Sequence, residues 1–554
     1  MSDSNANSSN VKDQIADADE QLLADLGYKQ EFLRAFTPIE VFGVAFSIIG
    51  LLPSIASVLF YAIPNGGPSA MVWGWAVASV FILFVGMSMA ELGSAAPTSG
   101  GLYFWTHSLA SPRWRNFLAW IVGYANTINT VSGVASINWG CAVQVMAAAS
   151  IGTNQKFVAT DVETFGVYCL IMFICAVICC LATNVLARLQ TVYVILNILL
   201  CLAVIIALPA ATPKELMNDA KYALANLTNA TTWPAGFTFC LSFLAPLWTI
   251  GAFDSSVHIS EEASNAAIAV PWAIVSAIFV AGVLGWAINV ALAFCMGTDL
   301  DSIMNNKIGQ PMATIFFNSF GQRGTLALWA FVVIVQFFMG TSMLLASSRQ
   351  VFAFSRDGAL PLSRILYRMN SHTQTPVNTV WFSAILATLL GLLVFAGDQA
   401  INAVFSVAVT ASYVAYSIPI AARFMFENNF KPGPFNLSFF SLPCAIIAVL
   451  WMAFTSLVLL FPTNPAPVNA GDMNYSVVVL GGVMFFSIMY YYFPKYGGVY
   501  WFKGPIRTIR DLDSAGRRAD MGQFDEAKDV GDSEEKKEGG EKESVKIELT
   551  ESVT

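Results

Sequence analysis

The stretch "VAFSIIGLLPSIASVLFYAI" (44–63) is apolar over a full membrane crossing, yet it carries Gly50 and Pro53 at its centre. A spanning helix needs about 20 mostly apolar residues, so this is a span with a break built into it. Proline removes a helical hydrogen bond and glycine loosens the backbone. Lipid cannot satisfy the freed groups, which must be buried in protein or face a polar cavity. Five spans further on, "FLAPLWTIGAFDSSVHIS" (243–260) repeats the device with Pro246, Gly251 and Asp254. Breaks at corresponding places in two halves point to a transporter of inverted repeats that holds its solute at mid-membrane, between half-helices.

Working outward, about twelve spans are expected, near 39–61, 69–91, 117–148, 165–184, 188–209, 236–258, 270–296, 325–348, 377–397, 401–422, 440–461 and 475–494. The expected fold class is an all-α polytopic membrane protein, and the weak segment 312–320 reads as a short helix in a loop. An even count puts both tails on one side. With the tails cytoplasmic, nine Lys and Arg fall in inward loops and five in outward loops, as the inside-positive bias requires. Aromatic borders at Trp73/Trp75, Trp114/Trp120 and Tyr490–Tyr492 read as interfacial anchors. The sequons at Asn226 and Asn229 fall in an outward loop and are candidate N-glycosylation sites.

Only 12% of the 554 residues are charged and 56% are hydrophobic, which excludes an ordinary soluble enzyme. The net charge of −8 excludes nucleic acid as a partner. That acidity belongs to the tails: residues 1–38 carry −4, residues 511–554 carry −7, and 39–510 carry +3. The C-terminal run "GDSEEKKEGGEKES" has too little apolar surface to offset ordering entropy and reads as disordered. The nine cysteines lie nearly all in apolar runs without metal-ligand spacing, so they read as packing thiols. With three His and no nucleophile set or phosphate loop, no enzymatic chemistry, cofactor or metal is expected.

At the first break, Pro53 reads as the first residue of the outer half-helix, with free N–H groups around Ser54 and Ile55 to receive a carboxylate and Gly50, Leu51 and Leu52 unwound. Asp254 is the main carboxylate candidate within a span, where an unpaired charge costs several kcal/mol. Three roles stay open for it: helix N-cap, ammonium ligand and proton carrier. Phe253 and Trp248 are candidates for a lid over a bound cation. Asn126, Asn129, Asn138, Asn197, Gln336, Thr341 and Ser342 either line the cavity or bond helix to helix. Glu91, Glu261 and Glu262 are expected at the inner interface, paired with arginines such as Arg349 or Arg356, where Glu261 is a candidate for a gate ion pair.

The chain resembles the amino acid–polyamine–organocation transporters, and within them the fungal amino acid/choline permeases, with closest likeness to fungal GABA permeases. The resemblance rests on "FGVAFSIIGLLPSIASV" (42–58), "GGPSAMVWGWAVAS" (66–79), "MAELGSAAPTSGGLYFWT" (89–106), "WTIGAFDSSVHISEEA" (248–263), "SRQVFAFSRDGALPLS" (348–363) and "KPGPFNL" (431–437). It implies two inverted five-helix repeats plus two further helices. The boundaries are a tail at 1–38, repeats at 39–233 and 234–422, two spans within 423–494 and a tail at 495–554. It also implies alternating access and proton-coupled uptake of a small amine-bearing solute. Its substrate contacts map to Gly50, Leu51, Leu52, Pro53 and Ser54 and to Thr249, Ile250, Gly251, Phe253 and Asp254. Arg349, Arg356 and Asp357 map to the cytoplasmic gate. The first break departs from the Gly-Ser-Gly type of many bacterial relatives, and the fifth span lacks the lysine that couples protons in some of them.

The expected function is therefore a permease for GABA or a related amino acid, with choline, thiamine and polyamines as rival solutes and a membrane nutrient sensor as the rival class. The expected partners are an amine-bearing solute, protons and membrane lipid. The plasma membrane and the vacuolar membrane both fit.

Overall fold

The computed structural model describes residues 2–508 apart from Leu33, Ala182, His372 and 463–472. The C-terminal run expected to be disordered lies outside the described residues. A small separate unit joins residues 24–29 to the segment from 507, where the Thr508 amide donates to the Gly27 carbonyl at 2.8 Å. The remainder forms one helical body.

Among the described residues, ten helices are long and apolar enough to cross a membrane. They are spans 1 to 5 at Pro38–Ala62, Gly67–Ala95, Arg115–Gly152, Asp161–Leu181 and Leu186–Ala211, then span 7 at Ala266–Cys295. Span 8 lies within Pro311–Arg356, and spans 9 to 11 are Val377–Ala396, Gln399–Met425 and Ser438–Leu459. Two shorter apolar helices, Ala235–Thr249 and Tyr475–Tyr491, occupy the expected places of spans 6 and 12. The segment 312–320 is helical, and Gly321 (φ 67°, ψ −178°) breaks it from span 8, as a short helix in a loop should be.

Spans five places apart pack against each other: the second on the seventh and the third on the eighth make the most extensive contacts. Small residues allow this closeness. A Cβ at Gly285 of span 7 would lie 2.1 Å from the Trp75 ring of span 2. Trp75 is therefore a packing residue, its indole donating to the Gly282 carbonyl at 3.1 Å, and Trp120 is likewise buried, donating to the Ser487 carbonyl at 3.0 Å. This corrects the reading of both as interfacial anchors; their neighbours Trp73 and Trp114 are the exposed ones. All nine cysteines are free thiols and seven are buried.

Phe36 and Ile506 lie at the same end of the bundle, the first bonded to Glu262 and the second to Asp357. This end is the terminal side. On the opposite, far side, Asn65–Gly66 pairs antiparallel with Thr228–Asn229 beside the two sequons.

Candidate solute site between two helix breaks

Span 1 is two helices, Pro38–Ile49 and Leu51–Ala62, joined by Gly50 in the left-handed region (φ 43°). Only a residue without Cβ adopts this cheaply. The second helix restarts at Leu51, earlier than Pro53, and the Ser54 amide already donates to the Gly50 carbonyl at 2.9 Å. The amides at this helix N-terminus without a backbone partner among the described residues are therefore those of Leu51 and Leu52, a correction to the expected Ser54 and Ile55. Ser54 contributes differently, its hydroxyl donating to the Ile49 carbonyl at 2.6 Å across the break. Met339 of span 8 lies against this break, where a Cβ on Gly50 would sit 2.7 Å from its sulfur.

Span 6 unwinds after Leu244–Thr249 and resumes as the single turn Ser255–His258. Ala252 takes φ 55°, and the carbonyls of Ile250 and Gly251 have no backbone partner among the described residues. Asp254 stands at the N-cap of the second piece, but its side chain caps nothing. Its Oδ2 lies 3.3 Å from Nε2 of His258 instead, with both residues buried.

Between the breaks is a cavity of about 30 Å³, lined by Ile48, Asn129, Trp248, Gly251, Met339 and Ser412 among others. It has room for one or two waters, not for an amino acid. Of the ten expected substrate contacts, only Gly251 lines it; Gly50 and Ser54 touch Met339, which does line it. Leu51, Leu52, Pro53, Thr249, Ile250, Phe253 and Asp254 lie outside its lining. Sequence reasoning did not find Met339, Met343 or Ser412, because apolar and hydroxyl side chains inside spans carry no local signal. Among the polar candidates, Asn197, Gln336 and Ser342 hydrogen-bond to other helices, Asn138 and Thr341 bond back to their own, and Asn126 contacts His258 while Asn129 donates to Asn126.

The hydrogen bonds around that acid orient the His258 ring. His258 Nδ1 lies 2.9 Å from the Ser99 carbonyl, which can only accept, so Nδ1 carries a hydrogen. Asn129 donates to Asn126 Oδ1 at 3.2 Å, which turns the Asn126 amino group toward His258 Nε2 at 3.0 Å. A neutral His258 then gives its single Nε2 lone pair to Asn126, whereas a proton on Nε2 would make that nitrogen a donor to Asp254 and require the Asn126 amide to turn away. The Tyr416 hydroxyl also lies beside Asp254 and Asn129.

The cavity is closed on both sides. Toward the far side, Trp248 packs on Phe405 with ring centroids 4.9 Å apart, its indole held by the Ser136 hydroxyl at 3.1 Å. Toward the terminal side stand two buried ion pairs: Arg349 on Glu262 at 2.7 Å, and Arg356 on Glu261 through two bonds of 3.0 Å. Asp357 accepts from the Tyr103 hydroxyl at 2.7 Å and from the Ile506 amide at 2.9 Å. Glu91 pairs with Arg423, not with Arg349 or Arg356.

Residues 30–32 and 34–36 complete the terminal closure. Phe36 bridges to Ala263 in parallel, its amide donating to Glu262 and its carbonyl accepting from Ser264. Arg34 donates to the Ala263 carbonyl at 2.5 Å and lies 3.5 Å from Asp19, whose carboxylate receives the Asn265 and Ala266 amides at the start of span 7. Burial lowers the Arg34 pKa, while Asp19 and Glu261 oppose the shift. Phe32 lies beneath the Arg349 guanidinium at 5.8 Å.

The family model described as amino acid permease matches residues 37–485. A GABA-specific permease of Saccharomyces cerevisiae is 38% identical over 502 residues, covering 89% of this chain and 87% of that protein. An uncharacterized amino-acid permease of Schizosaccharomyces pombe is 38% identical, covering 89% of both chains. A putative polyamine transporter of Candida albicans is 32% identical, covering 95% of this chain and 96% of that one.

Proposed function

Because this chain belongs to the amino acid permease family, a family of multi-pass membrane transporters, we propose that it is a proton-coupled secondary transporter of GABA or a related amino acid. The observation that carries this reading is the cavity between two interrupted span centres, where among the described residues the Leu51 and Leu52 amides at one break and the Ile250 and Gly251 carbonyls at the other have no backbone partner. The amides of Leu51 and Leu52, at the start of a 12-residue helix, suit a carboxylate. The carbonyls of Ile250 and Gly251 suit an ammonium. At about 30 Å³ the cavity admits such a solute only after Met339 and Met343 turn aside, which their unbranched side chains allow. The coupling proton is held between Asp254 and His258, linked through Asn126 to Asn129 at the cavity wall.

The packing of span 2 on span 7 and of span 3 on span 8 supports two five-span repeats that rock about this site. In this reading the terminal side is cytoplasmic, and Asn226 and Asn229, both exposed, are on the outer face. The polyamine-transporter relative supports a second reading, a cationic solute without a carboxylate. Uptake of labelled GABA into vesicles, with choline, thiamine and putrescine as competitors at two pH values, decides between them. GABA uptake driven by outside acid is expected; competition by putrescine without any GABA transport sinks the first reading in favour of the second.

A further inference from the structure

The space large enough for a solute in this conformation is not at the two breaks. It lies above them, on the far side of the Trp248–Phe405 pair, in a cavity of about 410 Å³. Phe405 lines this cavity while Trp248 lines the small one, so a single ring pair divides the two.

Its polar lining is mostly spent on structure. The Gln310 amino group donates to the Ala56 carbonyl and its oxygen accepts from the Ala313 amide, while the Ser57 hydroxyl donates to the Pro53 carbonyl. Gln144 differs. Its amino group is held by the Pro53 carbonyl at 3.0 Å and the Ser57 hydroxyl at 3.1 Å, which fixes the amide orientation and leaves Oε1, on a fully buried side chain, without a partner. A buried carbonyl oxygen left unpaired is destabilising, and a ligand donor would satisfy it. The only formally charged side chain lining the cavity is Asp161, exposed and without a hydrogen bond or ion pair among the described residues. No Lys or Arg lines it, and the rings of Phe60, Trp139 and Phe405 complete its walls. A spare neutral acceptor, one carboxylate and three aromatic faces, with no basic group, suit a primary ammonium and disfavour an anion.

We infer that this far-side cavity is a second binding station, which takes the ammonium end of the solute against Asp161, Gln144 and the aromatic walls before the Trp248–Phe405 pair parts. The inference rests on the amine-transport reading for its ligand. It adds that the protein binds two solute molecules at once, and that the outer station needs no carboxylate.

The test is equilibrium binding to the purified full-length protein in lipid nanodiscs, with labelled GABA and with n-butylammonium, a cation lacking the carboxylate. The expected result is two GABA per chain, one of them displaced by n-butylammonium. Asp161→Asn should weaken n-butylammonium binding at least about tenfold, while Asp161→Glu restores it. A single GABA per chain, together with normal GABA uptake, overturns the second station and leaves the transport reading standing. Asp161-dependent n-butylammonium binding without any GABA uptake does the reverse.

Discussion

The cavity between the breaks is closed by different physics at its two ends. Toward the far side one aromatic pair, Trp248 on Phe405, separates it from a space of about 410 Å³. Toward the terminal side stand the Asp254–His258 network, two buried ion pairs and Phe36 paired to residues 262–264. A ring contact leaves no uncompensated charge when it parts, so the far closure can yield by a side-chain rotation that breaks one indole hydrogen bond. Buried ion pairs leave uncompensated charge when they part, so opening the terminal closure costs more than opening the far one. In this conformation the protein is firmly shut on the terminal side and lightly shut on the far side.

This contrast is broken most forcefully by Arg349→Ala, which strands Glu262 without its guanidinium. Removing one partner of a buried pair costs about 3–5 kcal/mol, which is a shift of about 100-fold or more in the closed-to-open ratio. A single cysteine placed at Ser412, in a background without other cysteines, should then react far faster with an impermeant reagent applied from the terminal side. Exchanging the pair as Arg349→Glu with Glu262→Arg should recover part of the closure. A smaller effect is expected from Trp248→Ala, which loses about 1–2 kcal/mol of ring contact and indole bonding. The same reporter should react about tenfold faster from the far side, and the double variant with Phe405→Ala should be little worse, because both remove one contact. The smallest effect belongs to Arg34→Ala. It removes a partly buried ion pair worth about 1 kcal/mol, so terminal-side labelling should rise a few-fold with far-side labelling unchanged.

The two ends also differ in how far the sequence exposed them. Both breaks were legible, since Gly50, Pro53 and Gly251 interrupt apolar runs that lipid would otherwise keep helical. The gate charges were legible too, because Glu261, Glu262, Arg349 and Arg356 stand at span ends, although which acid meets which base depends on packing across four segments. His258 was missed as the partner of Asp254 despite its i,i+4 spacing, because the acid was weighed as a cap and a ligand rather than as half of a pair. The docking of residues 30–32 and 34–36 was hidden by reading 1–38 as a polar tail; the signal was Phe32 and Phe36, both buried, in an otherwise acidic stretch. The far cavity left no trace in the sequence, since Gln144 and Asp161 come from different spans and gain meaning only from what they do not bond.

Asp254 with His258 is the proposed seat of the coupling proton, and accumulation in proteoliposomes under an imposed pH gradient tests that role directly. The wild-type protein should concentrate GABA against its gradient, while Asp254→Asn should exchange GABA across the membrane yet accumulate none, with the protein inserted at normal levels. Proton-driven accumulation by Asp254→Asn at the wild-type level would contradict the account.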